Sequence, residues 1–154
     1  MGNLHILRLA VATAALALVP VSGAAWDLRQ GNGTAVTKQE AGRYTVMLNC
    51  SRGRGAEISV LDTTLRGDGF AGVRSLMVWI ELPDGRTDRV PIIPVWQEGA
   101  ALSGAFVPNG WTMDFFRNGV RLKVDSPGTR QTFVSTGMTG TGAARLAFLE
   151  QCGI

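Results

Sequence analysis

The chain has 154 residues, of which 45% are hydrophobic and 18% charged, and its formal net charge is +3. This is enough chain for one sizeable core, while the weak, scattered positive charge excludes a nucleic-acid-binding protein. The one histidine, His5, and the two cysteines, Cys50 and Cys152, leave little material for imidazole or thiol chemistry.

Residues 1–25 have the three parts of a secretory signal: a short basic start ending at Arg8, an apolar run from Leu9 to Val21, and small residues before Trp26. Ser22 and Ala24, or Gly23 and Ala25, fit the small-x-small cleavage rule. The apolar run is shorter than the ~20 residues of a spanning helix, so cleavage is expected and no stable membrane span remains afterwards. No cysteine lies near the cut, which argues against a lipoprotein. Residues 26–154 form the single predicted domain, in a periplasmic or secreted location. Because His5 belongs to the signal, the exported part has no imidazole. In an oxidising compartment Cys50 and Cys152 are expected to pair as a structural disulfide. A redox or nucleophilic cysteine is disfavoured by the lack of a Cys-x-x-Cys pair and of a histidine to lower a thiol pKa.

Along the exported part, alternating apolar and polar residues recur at short intervals, broken by Gly, Pro, Asn and Asp, which predicts antiparallel strands. Tyr44, Val46, Leu48 and Cys50 share one face of a strand. Ser51 to Gly55 forms a flexible connection, and Glu57 to Leu65 resumes an extended pattern. The segment Val73 to Leu82 has Leu76, Val78, Ile80 and Leu82 on one face and Met77 and Trp79 on the other. Both faces read as covered, placing it centrally with Trp79 in the core. Pro83-Asp84-Gly85-Arg86 is a turn by composition and predicts a hairpin. It leads to a strand Asp88 to Trp96, whose Pro91 and Pro94 mark it as an edge or bulged strand.

Gln97-Glu98-Gly99 turns the chain into a strand Ala101 to Val107, ended by Pro108-Asn109-Gly110. A short helix is predicted over Thr112 to Arg117, capped by Thr112 and stopped at Asn118-Gly119. Val120, Leu122 and Val124 then alternate, Ser126-Pro127-Gly128 turns, and Gln131 to Ser135 is the last strand. Met138, Gly142, Leu146, Leu149 and Cys152 follow helical spacing and predict a terminal helix buried along that stripe, capped by Thr139 or Thr141, with Arg145 and Glu150 facing water. The fold class is therefore mainly β, an antiparallel sandwich or curved sheet with one packed C-terminal helix and a single disulfide.

Several of these elements resemble a group of small exported bacterial proteins, the invasion-associated locus B family. They are the start at Trp26, the strand ending in Cys50, and the short helix Met113 to Gly119 before Val120-Arg121-Leu122-Lys123-Val124. Thr132-Phe133-Val134-Ser135, leading into Leu146-Ala147-Phe148-Leu149 and Cys152, completes the set. The ending is also similar to small accessory proteins of type VI secretion. The resemblance implies a β-rich envelope protein with an accessory or host-contact role, and it carries no catalytic residue over to this sequence. It departs from the family where members often carry a further close cysteine pair.

No catalytic constellation is legible. Asp62, Asp68, Glu81, Asp84, Asp88 and Asp114 show no revealing spacing, and there is neither a Gly-x-Ser-x-Gly elbow nor a Ser-x-x-Lys motif. No metal-ligand cluster and no cofactor motif is present. Arg52 and Arg54, flanked by glycines next to Cys50, are candidate anion-binding residues, against the plainer reading of a solvated loop. Of the four tryptophans, Trp111 is the candidate for exposed recognition. Arg66-Gly67-Asp68 spells an integrin-type tripeptide, although Gly-Asp-Gly is ordinary turn chemistry. Asn32-Gly33-Thr34 spells a glycosylation acceptor, idle behind a bacterial-type signal.

The expected role is non-enzymatic binding or accessory work with a protein partner in the cell envelope. The rivals are an inhibitor of a secreted hydrolase such as a lysozyme or protease, presenting Pro83 to Arg86 or Pro108 to Trp111, a type VI secretion accessory protein, and an enzyme using two carboxylates.

Overall fold

The computed structural model describes residues 25–154. Apart from Ala25, the predicted signal lies outside the described residues. In the first sheet, β1 (Asp27–Gly31), β2 (Thr34–Ala41), β3 (Tyr44–Ser51) and β4 (Gly55–Asp62) form a meander. The second sheet begins with the hairpin β5 (Leu76–Glu81) and β6 (Thr87–Ile92). The chain then returns to the first sheet as β7 (Val95–Glu98) and β8 (Ala101–Phe106), forms helix α1 (Gly110–Asn118), and completes the second sheet with β9 (Arg121–Ser126) and β10 (Gln131–Gly137). Helix α2 (Thr141–Cys152) follows. The strand orders are β1-β2-β3-β4-β8-β7 and β10-β9-β5-β6, and every pairing is antiparallel.

Strand alternation builds the core. Val46, Leu48 and Cys50 of β3 and Ile58 and Val60 of β4 face Leu76, Val78 and Ile80 of β5 and Leu122 and Val124 of β9 in one buried cluster. α2 packs on β1, β2, β3 and α1, while α1 touches β5 and β6, so the helix pair bridges the two sheets. Phe148 and Ala147 of α2 and Phe116 of α1 are buried. Among the described residues, no helix is long and apolar enough to cross a membrane.

The predicted disulfide is present: Cys50 and Cys152 are bonded, with Cα atoms 6.1 Å apart, and tie the end of β3 to the last turn of α2. Arg52 adds a second clasp, donating to the carbonyls of Glu150 and Gln151 at 3.0 Å each. The Gly33 amide adds a third, donating to Gln151 Oε1 at 3.0 Å.

Five expectations need correction. β5 is interior to its sheet, but Met77 and Trp79 lie on its half-covered outer face, so Trp79 is not a core residue. The single strand Asp88 to Trp96 is two: β6 ends at Ile92, the Ile93–Pro94 peptide is cis, and β7 joins the other sheet. Pro94 has no N–H with which to continue a ladder, and Pro91 sits on an edge strand as expected. Helix α1 starts two residues early because the Asn109 side chain accepts from the Thr112 amide at 2.8 Å, leaving Thr112 buried inside the helix rather than capping it. In α2 the N-cap is Gly140, and Thr141 instead donates its hydroxyl to the carbonyls of Phe116 and Met138. The buried stripe of α2 is Thr141, Ala144, Ala147 and Phe148, while Leu146 and Leu149 are each 53% exposed and Arg145 is half-buried.

Strands β1 and β2 are an addition to the prediction. Asn32 (φ 53°) and Gly33 (φ 76°) form the two-residue turn between them, since Gly31 pairs with Thr34. Both central residues have positive φ, the requirement of the hairpin turn that Asn-Gly favours.

Candidate functional site

Helix α1 buries Thr112, Met113, Phe115 and Phe116 and turns Trp111, Asp114, Arg117 and Asn118 outward. Trp111, in the first turn, is 59% exposed, and its ring leans on Phe115 with centroids 5.1 Å apart. The β5–β6 turn approaches from the neighbouring sheet. It is closed by Leu82 and Arg86, the Leu82 amide donating to the Arg86 carbonyl at 2.8 Å and the Gly85 amide to the Leu82 carbonyl at 3.0 Å. The Asp84 carboxylate accepts from the Arg86 amide and from its Nε, and these bonds hold its pKa below the usual carboxylate range. The same Arg86 guanidinium lies 6.0 Å from the centroid of Phe115.

The two turns singled out in the sequence, Pro83 to Arg86 and Pro108 to Trp111, therefore converge on Phe115. Between them lies a shallow groove of about 140 Å³, lined by Leu82, Arg86, Trp111, Asp114, Phe115 and Asn118. A larger groove of about 350 Å³ flanks the start of α1 and the end of α2, with Pro108, Gly110, Met113, Arg145, Leu149 and Ile154 among its walls. Asp114 links the two sides, since its Oδ1 accepts from Arg145 Nη2 at 3.3 Å. Val107 is 80% exposed just before α1, so Val107 and Trp111 are the exposed apolar side chains at the start of a helix whose other outward residues, Asp114, Arg117 and Asn118, are polar, with a groove on each flank.

The other nominated residues have different surroundings. Arg52 is engaged by the last carbonyls of α2, Arg54 is exposed on the β3–β4 turn, and neither lines either groove. Arg66-Gly67-Asp68 is built into its own loop: the Gly67 amide donates to Asp62 Oδ2, and its carbonyl accepts from Gln97 Nε2. Asp68 is paired with Arg43.

Asp62 organises that loop. Its buried carboxylate accepts from Arg43 Nε at 3.1 Å and Nη2 at 2.6 Å, from the Thr64 hydroxyl and amide, and from Gly67. Hydrogen bonding from Arg43 leads in holding its carboxyl well below the usual range, and outweighs the burial that pushes the other way. Of the six acids considered for catalysis, none shares either α1 groove with another. Among the described residues no group of His, Cys, Asp or Glu is arranged to hold a metal ion.

A second surface was not foreseen. On the outer face of the four-stranded sheet Arg89, Trp79, Lys123 and Ser135 fall in one cross-strand row. Lys123 Nζ lies 4.8 Å and the Arg89 guanidinium 5.4 Å from the Trp79 centroid. Lys123 is also paired with Asp125 at 2.8 Å, so the cations of this face are partly neutralised. The chain matches no family model, no curated protein and no solved structure.

Proposed function

We propose that this chain is an exported, non-catalytic binding domain that docks a protein partner of the cell envelope on its α1 face. The observation that carries the reading is Trp111, a large aromatic left more than half exposed on the wall of the smaller groove. A tryptophan of this kind commonly anchors an interface, and its truncation typically costs ~2 kcal/mol or more of binding. The signal-like pattern of residues 1–25 and the Cys50–Cys152 bridge support an oxidising compartment. The resemblance to the invasion-associated locus B family fits an accessory role of the same kind.

The test is affinity capture from envelope extract with the exported chain and its Trp111→Ala variant side by side. A partner retained by the first and lost by the second is expected. Equal capture of the same partner by both sinks the proposal. A second reading, inhibition of a secreted hydrolase, is favoured by the convergence of the Pro83 to Arg86 and Pro108 to Trp111 turns on Phe115. An inhibitor of this kind presents neighbouring exposed turns together to a catalytic cleft. Assays against a panel of lysozymes and proteases test it, and an absence of inhibition removes it.

A further inference from the structure

We propose that the outer face of the four-stranded sheet is a binding site for an oligosaccharide that carries carboxylates. The inference does not depend on Trp111, which lines a different groove. Strand register lays two rows of side chains across all four strands of this face: Ser135, Lys123, Trp79 and Arg89 in one, and Gly137, Arg121, Glu81 and Thr87 in the next. A groove of about 260 Å³ is lined by Trp79, Lys123 and Ser135 from the first row and by Glu81, Thr87 and Arg121 from the second. Because its walls draw on every strand, it crosses ~14 Å of sheet at ~4.8 Å per strand spacing, which suits a short chain better than a lone ion. Its charged side chains are within reach of a ligand: Arg121 is 63% exposed, Glu81 39% and Lys123 38%.

The face gathers three cations, Arg89, Arg121 and Lys123, against two carboxylates, Glu81 and Asp125, and so carries a net positive charge. Lys123 is bonded to Asp125 at 2.8 Å, but Arg121 reaches Glu81 only at 3.7 Å, an exposed pair of the kind worth ~1 kcal/mol or less. Arg89 is exposed and forms no ion pair among the described residues. It rests on Trp79 from β6 while Lys123 rests on the same ring from β9, so the indole holds two cations in place before a ligand arrives. Glu81 in the lining opposes a densely charged polymer such as a nucleic acid or polyphosphate. It also accepts hydrogen bonds, and the exposed hydroxyls of Thr87 and Ser135 both donate and accept. Cations for sparse carboxylates, with hydroxyl partners between them, match a chain of acidic sugars.

Titration of the exported chain, followed by the backbone amide resonances of Arg121, Lys123, Ser135 and Gly137, tests the site. The probes are trigalacturonate, its methyl ester, a tetrasaccharide of alternating glucuronate and N-acetylglucosamine, and triglutamate. Saturable shifts are expected with at least one acidic oligosaccharide, with binding about tenfold weaker for the methyl ester and for triglutamate. Arg89→Gln and Arg121→Gln are each expected to weaken binding by about two- to fivefold, the size of one exposed ion pair. Glu81→Gln keeps an acceptor while freeing Arg121, and is expected to tighten binding by about twofold. Arg54→Gln, an exposed arginine on the β3–β4 turn, leaves it unchanged. The proposal is overturned if neither acidic oligosaccharide gives saturable shifts at these amides, or if the methyl ester binds as well as the acid. It is also overturned if triglutamate binds as well as the sugars, which assigns the face to an acidic peptide, or if Arg89→Gln and Arg121→Gln bind as the parent does.

Discussion

Replacing both cysteines, Cys50→Ala with Cys152→Ala, removes a cross-link that spans 102 positions of sequence. In the chain-entropy account, a closed loop of about 100 residues restricts the unfolded chain by ~4.7 kcal/mol at 25 °C. For roughly 130 ordered residues the unfolding entropy is ~2.1 cal/mol/K per residue, so that loss corresponds to a fall in melting temperature of about 17 °C. Folding itself should survive. α2 keeps the clasp of Arg52 on its last two carbonyls, the Gly33–Gln151 hydrogen bond, and the burial of Ala144, Ala147 and Phe148 against β2, β3 and α1. The assay is thermal unfolding by circular dichroism, with hydrogen exchange of the α2 amides beside it. A fall of less than about 4 °C would refute the reasoning, because so small a change is that expected of ~1 kcal/mol. If the bridge merely pins the last turn of α2, the melting temperature holds and protection is lost only near Leu149 to Cys152.

Three further predictions follow from packing and charge. The Asp62 carboxyl has a folded pKa below its unfolded value of ~3.9, so its stabilisation is present above that pH and is lost as pH falls toward the folded pKa. The gap in melting temperature between the parent and Asp62→Asn, measured from pH 7 to pH 2, should therefore narrow below pH ~4, and a constant gap counts against the Arg43–Asp62 pair as its source. Gly67→Ala should destabilise more than Gly53→Ala in urea unfolding. Both glycines have positive φ, which costs an L-residue ~1–2 kcal/mol, but a Cβ at Gly67 would also lie 2.6 Å from the Gly99 carbonyl while one at Gly53 meets nothing; equal costs contradict this. Phe148→Ala, at a site with 0% exposure, should cost ~3–5 kcal/mol by the same measurement.

Much of the sandwich was legible because period-two alternation survives wherever one face is buried. Tyr44 to Cys50, Leu76 to Leu82 and Leu122 to Val124 carry large apolar residues at every second position, and those positions form the core. β2 was not legible for a physical reason. Its inward positions include Ala35 and Thr37, both fully buried, and α2 packs directly on this strand, so small side chains there admit the helix. Thr37 satisfies its hydroxyl on the Asp27 carbonyl at 3.0 Å, which makes a polar residue tolerable in that place. Periodicity therefore had nothing large to detect. The Asn32-Gly33 pair was the available signal for the hairpin.

The site was less legible than the fold because exposure is decided by what packs on each element. Trp79 and Trp111 are both tryptophans next to apolar neighbours, and only the sheet pairing and the capping of α1 by Asn109 place one under two cations and the other on a ridge. Helix α2 makes the same point. It covers Phe148 together with the small Ala144 and Ala147 and leaves Leu146 and Leu149 half exposed. Close approach to β2 and α1 favours alanine on the inner side. Leucine on the outer side is ordinary helix composition, since leucine is a strong helix former and single exposed apolar residues are common. Leu149 there forms a wall of the groove beside α1. The stripe that α2 buries is thus set by close packing on β2 and α1 rather than by side-chain size, which is why a periodicity-based reading chose Leu146 and Leu149 over Ala144 and Ala147.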